Sequence, residues 1–154
     1  MERKIKLITH EQALDFIMPK HYAGRKPQIT KAFGWYEGKT LVAVCTFGKP
    51  ATPRLCEGIC GKEFSQNVYE LNRLVRIEEF DGQLSQFVAG CLRDLRKENW
   101  IIVSYADSGM SHHGYIYIRL AIFYIQVVQS KERISMSQEN MLDMLLMIQM
   151  ELDK

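Results

Sequence analysis

Residues 81–103 read D-G-Q-L-S-Q-F-V-A-G-C-L-R-D-L-R-K-E-N-W-I-I-V, and this stretch decides the fold class. Leu84, Phe87, Val88, Cys91, Leu92 and Leu95 recur at the i, i+3, i+4, i+7 spacing that places apolar residues along one face of a helix. The R-D-L-R-K-E-N end belongs on solvent. Trp100 to Val103 then forms an uninterrupted apolar run, too short for a helix and right for a buried strand. A long amphipathic helix feeding directly into a buried strand is the signature of an α/β sheet with a helical crossover. Cys91 lies on the apolar stripe, where it reads as a core residue rather than a nucleophile.

Working back towards the N-terminus, Lys4 to Ile8 reads as a first strand. Thr9 follows as a helix cap, with Gln12 three residues on completing a capping box. Ala13, Phe16 and Ile17 give that helix its apolar face, and Pro19 ends it. The next segment, K-H-Y-A-G-R-K-P-Q-I-T-K, is basic and holds His21, Tyr22, Arg25, Lys26 and Lys31. It reads as a solvated loop or as a phosphate-contacting one. Ala32–Tyr36 and Leu41–Phe47 are strands flanking the turn Glu37-Gly38-Lys39. Gly48 to Asn67, with Pro50, Pro53, Gly58 and Gly61, reads mostly as loop. Val68–Ile77 is a further strand whose alternation puts Tyr69, Leu71, Arg73, Val75 and Ile77 on one face. An arginine among apolar neighbours is more than packing asks for. The predicted order is β-α-β-β-β-α-β.

After the last strand comes Val103–Tyr117, V-S-Y-A-D-S-G-M-S-H-H-G-Y-I-Y, dense in groups that accept, donate or coordinate. Tyr105 and Asp107 stand at the strand end, where α/β folds place their chemistry. His112, His113, Tyr115 and Tyr117 follow. Adjacent histidines rarely both ligate one ion, so at most one of His112 and His113 is expected to matter.

Composition sets the limits. With 154 residues the chain suffices for one core, 47% hydrophobic and 25% charged residues are ordinary for a globular protein, and a net charge of +2 does not by itself argue for nucleic acid. The N-terminal M-E-R-K-I-K-L-I-T lacks the apolar centre of a signal peptide, and no eighteen-residue apolar run exists, so no membrane span is expected. Cys45, Cys56, Cys60 and Cys91 without a secretion signal read as reduced thiols in a cytoplasm. Cys56 and Cys60 have no second Cys/His pair at zinc-finger spacing. Neither repeats nor low-complexity segments are present.

The element order resembles the acyltransferase fold of the GNAT superfamily. More specifically, K-H-Y at 20–22, F-G-K-P-A at 47–51, V-Y-E-L-N-R-L-V at 68–75 and S-Y-A-D-x-x-x-x-H-H-G-Y-I-Y at 104–117 together resemble the Mom family. These are phage Mu-type, GNAT-like proteins of DNA adenine modification. Each piece is weak alone; their order and spacing are specific, over residues 10–117. The resemblance implies modification of the exocyclic N6 amine of adenine in double-stranded DNA, shielding phage or prophage DNA from restriction. It implies catalytic roles for His21, Tyr22, Asp107 and Tyr117, and binding of an anionic group by Arg73. An acyl-CoA-like donor or iron enters only through the resemblance. The usual glycine-rich pyrophosphate loop before the crossover helix is reduced here to Asp81-Gly82-Gln83.

Beyond Tyr117 the resemblance stops. The family's expected continuation resembles Q-A-x-N-F-x-Y-T-G-x-T-K-x-R-T-D-K-Y, whereas this chain reads I-R-L-A-I-F-Y-I-Q-V-V-Q-S-K-E-R-I. If the third base of each codon from Ile118 is joined to the first two of the next, synonymous codons exist that spell Q-A-S-N-F-L-Y-T-G-C-T-K-Q-R-T-D. The expectation is therefore a GNAT-like, Mom-type domain over 1–117 and an out-of-frame tail over 118–154 that replaces the last strands and impairs activity. Leu120, Ile122, Tyr124, Gln126 and Val128 alternate well enough to line the exposed sheet edge as a makeshift strand. The other reading of the tail is a genuine amphipathic helix over Met141–Leu152.

The chemistry expected of such a site is demanding. The adenine N6 lone pair is delocalised into the ring, so transfer to it needs a base and an activated donor. Asp107 can accept the proton, and Tyr22 and Tyr117 can hydrogen-bond or stack on the base. His21 can shuttle a proton or join Asp107 on a metal. A base inside a duplex has to be flipped or locally exposed. Two readings compete: an N-acyltransferase on a small amine or protein, which a complete pyrophosphate loop would favour, and a non-catalytic remnant.

Overall fold

The computed structural model describes residues 2–20, 25–106, 124–129 and 132–133. They form an α/β structure with helices interspersed among strands: β1 (Arg3–Leu7), α1 (His10–Ile17), β2 (Lys31–Glu37), β3 (Thr40–Gly48), α2 (Pro53–Phe64), β4 (Val68–Arg76), α3 (Leu84–Leu95), β5 (Ile101–Ala106), β6 (Tyr124–Gln129) and β7 (Glu132–Arg133). The chain divides into two compact units, Met1–Lys49 with Tyr69–Trp100, and Pro50–Val68 with Ile101–Lys154.

In the first unit β1, β2, β3 and β4 pair in succession, all antiparallel. Gly38, at φ 60°, takes the left-handed step in the β2–β3 hairpin that an L side chain would resist. One face of this sheet carries α1. Its capping box forms as the sequence requires, Thr9 accepting from the Gln12 amide while the Gln12 side chain accepts from the Thr9 amide. Ala13, Phe16 and Ile17 bury against Ala32, Val44 and Val75. The other face carries α3, whose buried stripe is Phe87, Val88, Cys91 and Leu95. Trp35 lies between Phe80 and Phe87, with ring centroids 4.8 and 5.5 Å away. Cys45 meets Cys91 there, and burial, reinforced by that neighbour, holds the Cys45 thiol well above its usual titration range. Both are free thiols inside the core.

The second unit contains an element that the sequence pattern concealed. Gly48–Asn67 is mostly helix, not loop: Thr52 caps α2 by accepting from the Leu55 amide, and Pro53 opens it. Proline breaks a helix in its interior, but at the first helical position its missing N–H is one that has no intrahelical partner in any case. Cys56 and Cys60 thus sit one helical turn apart, Cys60 donating to the Cys56 carbonyl. Burial, with Cys56 beside it, raises the Cys60 thiol. Cys56 and Ile59 bury with Val68 and Val103 in a small core of their own. β5 pairs with β6 in parallel, Val103 opposite Tyr124, and β6 with β7 antiparallel. The segment expected to line the sheet edge therefore does run beside β5 over 124–129; Leu120 and Ile122 lie outside the described residues. Among the described residues no helix is long and apolar enough to cross a membrane.

Candidate functional site

The β3–β4 pair contains one irregularity that decides where its polar side chains go. Thr46 pairs with Arg73 but Phe47 pairs with Leu71, so Asn72 is an extra residue on β4, a β-bulge. Simple alternation would put Leu71 and Arg73 on one face. The bulge resets the phase: Leu71 faces α3 with Phe47 and Cys45, whereas Arg73 shares the α1 face with Thr46, Val44 and Val75.

Around the bulge a polar cluster assembles on that face. The Thr46 hydroxyl, completely buried, donates to Asn72 Oδ1 at 2.6 Å. Asn72 Nδ2 donates to the Gln28 carbonyl at 2.7 Å, so one amide joins the sheet to the loop over residues 25–30. The Thr30 amide donates to the Phe47 carbonyl at 2.7 Å and fixes the same loop a second time. Gly48 completes the closure: a Cβ there would stand 1.7 Å from the Gln28 carbonyl oxygen. Only glycine admits that approach.

Arg73 Nη1 donates to the Asn72 carbonyl at 2.6 Å and Nη2 to the Arg25 carbonyl at 3.2 Å. Its Nε is buried with no partner among the described residues. A guanidinium has five donors in a rigid fork, so this one both holds the loop and keeps capacity for an anion. Glu70 is half-buried beside it. Burial raises its carboxyl above the usual range, and the Arg73 charge works in the opposite direction. Glu70 escapes a reading by strand alternation; the signal is present in E-L-N-R, where an acid, an amide and an arginine cluster on a strand otherwise apolar.

The loop over 25–30 is the direct continuation of the segment with His21 and Tyr22, which lie outside the described residues, as do Asp107, Tyr117, His112 and His113. β5 ends at Ala106, so Asp107 is the next residue along the chain. Of the catalytic and binding residues expected from sequence, Arg73 alone can therefore be placed by its contacts. Among the described residues no group of three or more His, Cys, Asp or Glu side chains is arranged to hold a metal ion. The turn before α3 offers no phosphate cradle: a Cβ at Gly82 would stand 2.0 Å from the Phe80 ring, and Asp81 is ion-paired with Arg3 at 2.8 Å. The space that glycine leaves is filled by an aromatic ring, so a pyrophosphate does not fit there.

A family model described as the Mom protein family matches residues 2–152. The chain is also similar to a solved structure from the mobile metagenome of V. cholerae, an integron cassette protein, with 16% identity and a TM-score of 0.54 over 95% of this chain and 98% of that one. That likeness concerns the fold. No curated protein sequence matches.

Proposed function

Since this chain belongs to the Mom protein family, we propose that it acts on DNA as an adenine-modifying transferase of GNAT-like fold, directed at the exocyclic N6 amine and serving phage or prophage DNA against restriction. The observation that supports a site on the α1 face is the Arg73 guanidinium, anchored by two backbone carbonyls and carrying a buried Nε with no acceptor among the described residues. A buried donor without an acceptor is costly unless a ligand supplies one. In this reading Arg73 binds an anionic group of the donor or a DNA phosphate.

Asp107 takes the proton lost as N6 bonds to the transferred group, and the donor's leaving group departs with the electron pair of the broken bond. Tyr22 and Tyr117 hold the base by stacking or hydrogen bonding, and His21 relays the proton. Asn72 and Gly48 hold the loop over 25–30 at Gln28, and His21 and Tyr22 precede that loop in the chain. No step is routed through a pyrophosphate at the start of α3, where the residues do not fit one, nor through a metal.

The same proposal divides the chain into a Mom-type domain over 1–117 and a tail over 118–154 translated out of frame, which lowers activity. That division rests on the codon pattern; the family match runs on to residue 152. Nucleoside mass spectrometry of DNA from cells expressing the protein tests both parts. Modified adenine should be weak or absent with the chain as it stands and appear when one base is added or removed near codon 118. Asp107→Ala in the frame-restored version should abolish it. Equal modification by both frames would refute the tail reading, and parental modification by Asp107→Ala would refute the role of that carboxylate.

A further inference from the structure

On the opposite face of the β3–β4 pair, away from the polar cluster, two aromatic rings lie face to face. Tyr69 and Trp100 stack with centroids 3.6 Å apart and planes 11° from parallel. Lys49 Nζ sits 3.9 Å from the centre of the Tyr69 ring, and Lys31 Nζ 5.6 Å from that of Trp100. Each ring's inner face is filled by the other, so each ammonium occupies an outer face. The result is a row of cation, ring, ring, cation. Trp100 reaches it through Asn99, which takes the left-handed conformation at φ 52°, a state asparagine tolerates better than most residues. Arg96 and Lys97, both exposed, lie just before that turn.

The row has no part in the core, and its cations are held in place by rings rather than left to wander. Lysines have large rotamer entropy to lose on binding; the ring contacts reduce that loss. Glu98 pairs with Lys31. Both partners of that pair are part-exposed, which makes it a weak interaction that a phosphate can replace.

We propose that Lys31 and Lys49, fixed on the Tyr69–Trp100 stack, with the exposed Arg96 and Lys97 a few residues before Trp100 in the chain, form a contact surface for the phosphate backbone of DNA. This rests on the DNA-directed reading above. Phosphate contacts supply affinity and register without reading sequence, which is what an enzyme that must hold the duplex while one base is displaced requires. Glu98 acts as a competing anion that the DNA displaces.

The test is binding of the full chain to a fluorescein-labelled duplex across a range of salt. Each phosphate contact contributes roughly 0.9 to the slope of log affinity against log salt. Lys31→Ala with Lys49→Ala should lower that slope by roughly two and weaken binding about tenfold or more at low salt. Glu98→Gln should do the reverse, tightening binding several-fold, a gain no purely structural role for the row would give. Lys4→Ala, which removes an exposed lysine paired with Glu2 at 2.9 Å, should move neither quantity. Circular dichroism confirms that each variant is folded. Parental slope and affinity in the double variant overturn the surface, as does salt-independent binding by the parent. Tighter binding of the parent to polyglutamate than to the duplex would assign the row to an acidic protein and overturn it as well. DNA binding that follows this pattern while the frame-restored version leaves no modified adenine would sink the proposed chemistry and leave the surface standing; modified adenine from the frame-restored version together with an unaffected double variant would do the opposite.

Discussion

The two faces of the β2–β3–β4 sheet are made from alternate residues of the same strands, yet they solve different problems. Towards α3 lie Phe33, Trp35, Cys45, Phe47 and Leu71, all buried and apolar. Towards α1 the inner end is equally apolar, at Val44 and Val75, but the far end holds Thr46, Asn72, Arg73 and Gly48 beneath the loop over 25–30. Among the described residues each face leaves one buried donor without a partner, Trp35 Nε1 and Arg73 Nε. Their surroundings give these orphans different meanings. Trp35 Nε1 belongs to a ring wedged between phenylalanines, where the gain from aromatic packing outweighs one lost hydrogen bond. Arg73 Nε belongs to a charged group among polar atoms, where an anion would complete it. One face carries the stability of the unit, the other carries capacity for a ligand.

If that division holds, the largest effect on stability comes from the α3 face. Phe87→Ala removes a fully buried ring that packs on Trp35, and large-to-small changes of this kind cost about 3–5 kcal/mol. Urea unfolding should show that loss, a large part of a typical domain's total. A change of less than about 1 kcal/mol, well below that range, would mean the α3 face is not the stabilising one.

Next comes the polar end. Gly48→Ala drives a methyl group into the Gln28 carbonyl, backbone that has no rotamer with which to retreat. Overpacking of this type costs about 1–3 kcal/mol, and the loop over 25–30 should give way before the sheet does. Hydrogen exchange at the Thr30 amide, which donates to Phe47, should quicken by roughly one to two orders of magnitude while amides in α3 stay protected, since each 1.4 kcal/mol is about a factor of ten. Uniform loss of protection across both faces would erase the distinction between them.

How far the sequence disclosed this arrangement follows from which signals are local. The α1 capping box, the β2–β3 turn and the α3 stripe depend on residues a few positions apart, and each appears where its pattern places it. α2 was hidden because Pro50, Pro53, Gly58 and Gly61 read as loop punctuation, and because the positive φ of 79° at Gly61 kinks the helix and blurs its apolar period. The bulge at Asn72 was hidden for another reason: its cause is the Thr46 and Gln28 partners brought by β3 and the loop, which no window on β4 contains. The same shift misassigned Tyr69 and Leu71, which lie on the face opposite Arg73. Arg73 was legible as an oddity in an apolar strand; that it ties down the loop next to His21 and Tyr22 needed the fold. Glu70 was overlooked because a glutamate on a strand ordinarily faces water, and burial is a property of what lies over it.

The smallest effect is also the most specific to the site. Burial raises the Glu70 carboxyl in the folded chain, with Arg73 acting against the shift. The folded state therefore binds that proton more readily than the unfolded one, and stability falls as pH rises from the ordinary carboxyl value through the raised one. Above that window the penalty is complete; below it the penalty is absent. Glu70→Gln removes the charge and keeps the shape, so at neutral pH the variant should melt slightly higher than the parent. Glu70 is part-exposed and solvent screens its charge, so the effect stays at a fraction of about 1 kcal/mol, which moves a chain of this size by about 2 °C or less. In acid, below the ordinary carboxyl range, the two should melt together. Differential scanning calorimetry over a pH series reads this directly. A rise of the same size at every pH would show that the glutamine packs better rather than that a charge was buried, and Glu70 would leave the site. A fall at neutral pH would show that pairing with Arg73 outweighs burial, which would make the polar end of this face a closed ion pair instead of an arginine waiting for an anion.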